Sequence, residues 1–125
     1  MAHILVIDAD AAFRFMLIET LDAAGHTVSQ ASDGRRALKT LHAESADLVL
    51  TDLVMPEQEG IQTIKALRHL FPTLPVIAMS GALPNAPLHL EIAASLGVRR
   101  TLTKPFCHET LLNAIDEVLE RVHAA

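Results

Sequence analysis

Two hydrophobic periods take turns along this chain. Ile4-Leu5-Val6-Ile7 is a short, continuous apolar run, β-branched and ended by Asp8. Such a run predicts a strand buried on both faces. From residue 11 to 24 the period becomes helical, with Phe13, Met16, Leu17, Leu21 and Ala24 on one stripe. Asp10 stands where an N-cap belongs and Gly25 where a helix stops. The same alternation continues to the end. Residues 27–31 alternate weakly, as an edge strand would, and Asp33-Gly34 opens a helix through Ala37, Leu38 and Leu41. Leu48-Val49-Leu50 predicts a third strand ending at Thr51-Asp52; Ile61, Ile64, Leu67 and Leu70 predict a helix closed by Pro72. Residues 75–79 predict a fourth strand, followed by Ser80-Gly81. Leu88, Ile92 and Leu96 mark a helix ending at Gly97, whose start the stretch from Pro84 to Pro87 is expected to delay. Residues 99–102 read as a short, charged edge strand, and Leu111, Leu112, Ile115, Val118, Leu119 and Val122 complete a final amphipathic helix.

Five strands alternating with five helices predict an open α/β parallel sheet, with helices on both faces and right-handed crossovers. No linker, low-complexity tract or repeat interrupts them, so residues 1–125 read as a single domain. Half the residues are apolar, enough for a core, and the 20% charged fraction argues against disorder. A net charge of −5 makes the chain a poor candidate for nucleic acid binding through phosphate contacts. No apolar run is long enough to span a membrane, and Met1-Ala2-His3 lacks the basic region of a signal peptide, so a cytoplasmic location is expected. With one cysteine, Cys107, neither an intrachain disulfide nor a cysteine-based structural zinc site can form.

In sheets of this class the site lies beyond the carboxyl ends of the strands, at the topological switch point. The residues there are Asp8 and Asp10 after the first strand, Asp52 after the third, Ser80-Gly81 after the fourth and Lys104-Pro105 after the fifth. Two carboxylates, a hydroxyl and an ammonium therefore converge on one rim. For Asp10 a helix cap is the preferred reading. Asp52 instead precedes Leu53-Val54-Met55-Pro56, an apolar loop with nothing to cap. Ser80 alone would read as a turn residue and Lys104 as a solvated lysine; their coincidence with the two aspartates argues otherwise. The seven histidines show no metal-ligand spacing and are expected at solvent-exposed structural positions. Cys107 falls at a predicted helix N-terminus, where a thiol's pKa can be lowered, and is expected to be inert. On the first helix Phe15 and Ile18 fall roughly 150° or more from the inward stripe, so they are candidates for a docking patch. Leu90 is a weaker candidate on the fourth helix.

Taken in order, Asp8, then Thr51-Asp52-Leu53-Val54-Met55-Pro56 with Gly60, then Met79-Ser80-Gly81-Ala82, then Thr103-Lys104-Pro105-Phe106 resemble the receiver domain of bacterial response regulators. The resemblance covers essentially the whole chain. It implies a flavodoxin-like sheet of order 2-1-3-4-5. It also implies that Asp52 accepts a phosphoryl group from a histidine kinase or histidine phosphotransfer protein. By the same resemblance Asp8, Asp52 and the backbone carbonyl of Val54 ligate Mg²⁺, Ser80 and Lys104 bind the phosphoryl oxygens, and the Lys104-Pro105 bond is cis. The first helix would contact the phosphodonor, and output would run through binding an unidentified downstream protein. No enzymatic activity is expected beyond assisting its own phosphorylation and dephosphorylation.

Three departures from that pattern matter. Ala9 stands where the family usually has a second acidic residue, which is expected to weaken Mg²⁺ binding, with Asp10 as the candidate replacement. Thr101 occupies the aromatic switch position. Val54 and Ala82, at the two positions that tune water access, cannot orient an attacking water. The alternative reading is therefore a degenerate receiver acting as a phosphorylation-independent interaction module. A flavodoxin-like cofactor binder fits the fold but lacks a Gly-rich loop after the first strand.

Overall fold

The structure is a computed structural model that describes residues 2–53, 59–81 and 86–124. Five strands and five helices alternate: β1 (His3–Ile7), α1 (Ala11–Ala23), β2 (Thr27–Ala31), α2 (Gly34–Ala43), β3 (Leu48–Asp52), α3 (Glu59–Leu70), β4 (Val76–Ser80), α4 (Ala86–Ser95), β5 (Arg100–Thr103) and α5 (His108–Ala124). All strand pairs are parallel and the sheet order is β2-β1-β3-β4-β5. This is the architecture expected from the alternation and the order expected from the resemblance. Among the described residues no helix is long and apolar enough to cross a membrane.

Alternate strand residues feed two cores, because successive side chains leave a sheet on opposite faces. Ile4, Val6, Leu48, Leu50, Ile77 and Met79 pack with Leu17 and Leu21 of α1 and Leu111, Ile115 and Val118 of α5. Leu5, Ile7, Val49, Val76 and Ala78 pack with residues of α2, α3 and α4 on the other face. The continuous apolar runs of β1, β3 and β4 follow directly, since each strand must satisfy both layers.

Local signals set most boundaries. Asp10 caps α1 by accepting from the amides of Ala12 and Phe13, and Asp33 caps α2 by accepting from Arg36. Gly25 takes φ 93° after α1, a region open to glycine at little cost. Pro75 accepts from Val49 but has no N–H to donate, so β4 begins one residue later than its apolar run. Pro87 falls in the first turn of α4, where a missing amide leaves no bond unmade.

Several inward assignments are corrected. Leu70 is 47% exposed. The Ile61, Ile64, Leu67, Leu70 spacing of three drifts about 60° per step around a helix, so its last member has left the buried face. Ala24 is exposed at the C-cap of α1; in the second half of α4 Ala93 is buried and Ile92 half-buried, as is Leu96 just past the helix. His26 is buried rather than exposed. The turn at Gly25 and the pairing of Thr27 with His3 bring its ring under the chain start, where Nδ1 accepts from the Ala2 amide at 3.2 Å. His3 is half-buried, with Nδ1 2.7 Å from the Thr27 hydroxyl and Nε2 within 2.7 Å of Ser29 and 3.1 Å of Glu44.

Candidate functional site

The rim is assembled by register. Val6 pairs with Leu50 and Ile7 with Thr51, and continuing that ladder sets Asp8 beside Asp52. Both aspartates keep the parity of Val6 and Leu50, so they emerge toward the α1 and α5 layer. Asp52 pairs with Met79, which leaves Ser80 at the end of the next strand, and Ser80 pairs with Thr103. The Lys104 amide then donates to the Ser80 carbonyl at 2.7 Å, carrying the lysine to the same end of the sheet. The Lys104-Pro105 bond is cis.

One ammonium holds two buried carboxylates. Lys104 Nζ lies 2.9 Å from Asp8 Oδ2 and 3.2 Å from Asp52 Oδ2, while Asp8 and Asp52 are 0% and 5% exposed. The other Asp8 oxygen accepts from the Asp10 amide at 2.9 Å. Burying a carboxylate is costly unless it is paired and hydrogen-bonded, and here each is. Two anions facing one ammonium still leave the ion-pair set one negative charge in excess. Ser80 is fully buried, with its hydroxyl 3.4 Å from the Gly81 carbonyl.

The backbone around Asp52 is fixed by close packing. A Cβ on Gly60 would sit 2.5 Å from the Leu53 Cα and carbonyl oxygen and 2.7 Å from the Asp52 carbonyl. Only glycine lets the start of α3 press this closely against the chain just after Asp52.

Two residues at this rim escape sequence reading. Phe13, assigned to the inward stripe of α1, is half-buried with its ring 4.1 Å from Lys104 Nζ, and it meets Phe106 edge-on at 5.8 Å. A ring face beside an ammonium is attractive, so Phe13 gives the lysine a third contact beside its two carboxylates. Arg14 donates from Nη1 to the Asp8 carbonyl and from Nε to Gln30 at 2.7 Å, tying β1's end to the edge strand. No local pattern announces the Phe13 contacts, because its partners lie at the far end of the sequence.

The remaining candidates sort plainly. Asp10 is exposed and its Oδ1 is committed to the α1 amides, which favours the capping reading. Among the described residues no group of three His, Cys, Asp or Glu side chains converges as a metal site. Val54 and Ala82 lie outside the described residues, as does the Leu90 side chain. Thr101 is half-buried beside Ala78. Phe15 is 62% exposed, whereas Ile18 is half-buried because it sits only about 60° around the helix from Leu21. The Cys107 thiol is exposed and held below its ordinary pKa, chiefly by hydrogen bonding to Thr110, whose hydroxyl is 3.1 Å away.

Comparison with known proteins agrees with the fold. Residues 4–116 match the family described as response regulator receiver domain. The chain is 37% identical over 123 residues to the transcriptional regulatory protein CpxR of Escherichia coli (strain K12), covering 98% of this chain and 51% of that protein. It is 35% identical over 122 residues to the transcriptional regulatory protein GlrR of the same organism, covering 96% of this chain and 27% of that one. The chain thus spans between about a quarter and a half of these relatives' length. Its fold superposes on the Vibrio cholerae chemotaxis protein CheY4 with a TM-score of 0.85 at 31% identity, covering 94% of this chain and 98% of that structure. The parallel order β2-β1-β3-β4-β5, the paired aspartates at its carboxyl rim and the match over residues 4–116 lead to one conclusion: this chain belongs to the response regulator receiver domain family.

Proposed function

We propose that Asp52 is the phosphoacceptor of this receiver, taking its phosphoryl group from a phosphohistidine on a kinase or phosphotransfer protein. The observation that carries this reading is the pair of buried aspartates sharing Lys104. An Asp52 carboxylate oxygen attacks phosphorus, the P–N bond breaks as an acyl-phosphate P–O bond forms, and the imidazole leaves with a proton. Lys104 already touches Asp52, so its ammonium can follow the negative charge onto the phosphoryl oxygens. The Ser80 hydroxyl, at the end of the strand that pairs with Asp52's, would donate to one of them. The reaction is stoichiometric, and the protein acts on no substrate other than its own acyl phosphate. Its output is binding to another protein.

The donor chemistry fits Mg²⁺, a hard cation that binds through one or two carboxylates and keeps several waters. Asp8 and Asp52 would hold it, and when bound it offsets charge on the transferring group. The two-carboxylate set should bind it weakly. Restoring an acid with Ala9→Asp is expected to tighten Mg²⁺ binding about tenfold, or roughly 1.4 kcal/mol. Calorimetric titration of both proteins decides this; equal affinities would show that water or Asp10 already supplies the missing donor.

Incubation with acetyl phosphate and Mg²⁺ should add about 80 Da to the intact mass, the increment of one phosphoryl group. A chain that never gains it would be the degenerate interaction module that Ala9, and the commitment of Asp10 to the α1 cap, favour as the second reading.

Thr101 bears on how far phosphorylation is felt. It has no ring to swing inward behind Ser80, so the distal face should be weakly coupled to the rim. Beryllofluoride, a stable phosphoryl mimic, is expected to shift amide resonances strongly at Ser80 and Gly81 and only modestly across residues 88–102. Comparable shifts on both would mean that the output face switches without an aromatic residue.

A further inference from the structure

Charge is segregated on this molecule. The chain is acidic overall, with fifteen Asp and Glu against ten Lys and Arg, yet Arg35, Arg36, Lys39, Lys65 and Arg68 all fall on α2 and α3. Arg35, Lys39 and His42 stand at i, i+4 and i+7, so they share one face of α2. That face borders a groove of about 430 Å³ between the two helices, with Gln62 on the opposite wall and Leu38 and Ala66 among its apolar lining. Among the described residues no acidic side chain lines it. Among the described residues Arg35 and Lys39 are exposed and make no ion pair, whereas neighbouring Arg36 meets Asp33 at 3.8 Å.

We propose that this groove docks an acidic amphipathic helix of a partner protein. Its apolar side would lie on Leu38 and Ala66, and its carboxylates would meet Arg35 and Lys39. The argument is complementarity of both charge and period. Arg35 and Lys39 are one turn apart, about 6 Å along the axis, which is also the rise between acids at i and i+4 on a facing helix. A small anion would have no use for the apolar lining, and a purely apolar partner would bury two cations unpaired. Unpaired exposed cations on an otherwise acidic protein also steer an acidic partner to this face at low salt. The inference stands apart from the phosphoacceptor reading, since none of these residues touches Asp8, Asp52 or Lys104.

The probe is a synthetic helical peptide of about 16 residues, with Leu and Ala on one face and Glu at i and i+4 beside it. It carries a fluorophore, because the protein has neither Trp nor Tyr. Binding should shift amide resonances of residues 34–42 and 62–66. It should weaken at least about tenfold in Arg35→Glu/Lys39→Glu, and also as salt rises from about 0.05 to 0.3 M. The milder pair Arg35→Ala/Lys39→Ala should show an intermediate loss with an unchanged urea midpoint, and both variants should still gain the phosphoryl mass. Equal binding of a scrambled peptide or of oligoglutamate would overturn the proposal in favour of a nonspecific polyanion surface. Tighter binding of a charge-matched oligonucleotide would reassign the groove to nucleic acid. Salt-sensitive self-association abolished by Arg35→Glu would reassign it to a second copy of this chain. Undiminished peptide binding by the double variants would place the contact elsewhere.

Discussion

Asp52→Asn is expected to abolish the mass gain of about 80 Da from acetyl phosphate while leaving the fold intact. The amide that replaces the carboxylate has the same shape but no anionic oxygen to attack phosphorus. Its effect on stability should be neutral or favourable. In the native protein two buried carboxylates share one ammonium; in the variant one carboxylate faces one ammonium, and the excess buried charge is gone. Intact-mass spectrometry and a urea melt together test both halves. Retained labelling would move the acceptor to another residue, and a collapsed midpoint would mean that the Asp52 carboxylate holds the rim together.

Lys104→Met should cost the rim a large part of its stability. It leaves Asp8 and Asp52 buried without their shared counter-ion, a situation that typically costs about 3–5 kcal/mol. The lysine side chain is 18% exposed, so some water reaches the pair, and a loss near 3 kcal/mol is expected. The contact with the Phe13 ring disappears with it. Urea unfolding at unchanged slope measures the loss. Adding Asp52→Asn to Lys104→Met should recover part of it, because one stranded carboxylate then remains instead of two, and neighbours of this kind do not add independently. A loss below about 1 kcal/mol would show that the pair is screened like a surface ion pair.

The class of fold was legible because its signals are local. A strand buried on both faces must be apolar throughout, and a helix covering a sheet must repeat at its own period, so Leu48-Val49-Leu50 and Leu111 to Val118 declare themselves without reference to anything distant. The caps at Asp10 and Asp33 and the stop at Gly25 are equally local. Local reading failed where periodicity was stretched too far, as at Leu70, or where chain reversal buried a polar residue, as at His26.

By itself, then, the sequence determined the alternation of strands and helices and the placement of Asp8, Asp52, Ser80 and Lys104 at strand ends. Tertiary structure alone decided what those residues do to one another. Lys104 reaches Asp8 across 96 positions and Asp52 across 52, and Phe13 finds the same ammonium from α1. No window of sequence contains such contacts, because they exist only once parallel register has set the four strand ends side by side. The basic groove has the same origin: it exists only where α3 is packed beside α2 and gives Arg35 and Lys39 an apolar lining to act with.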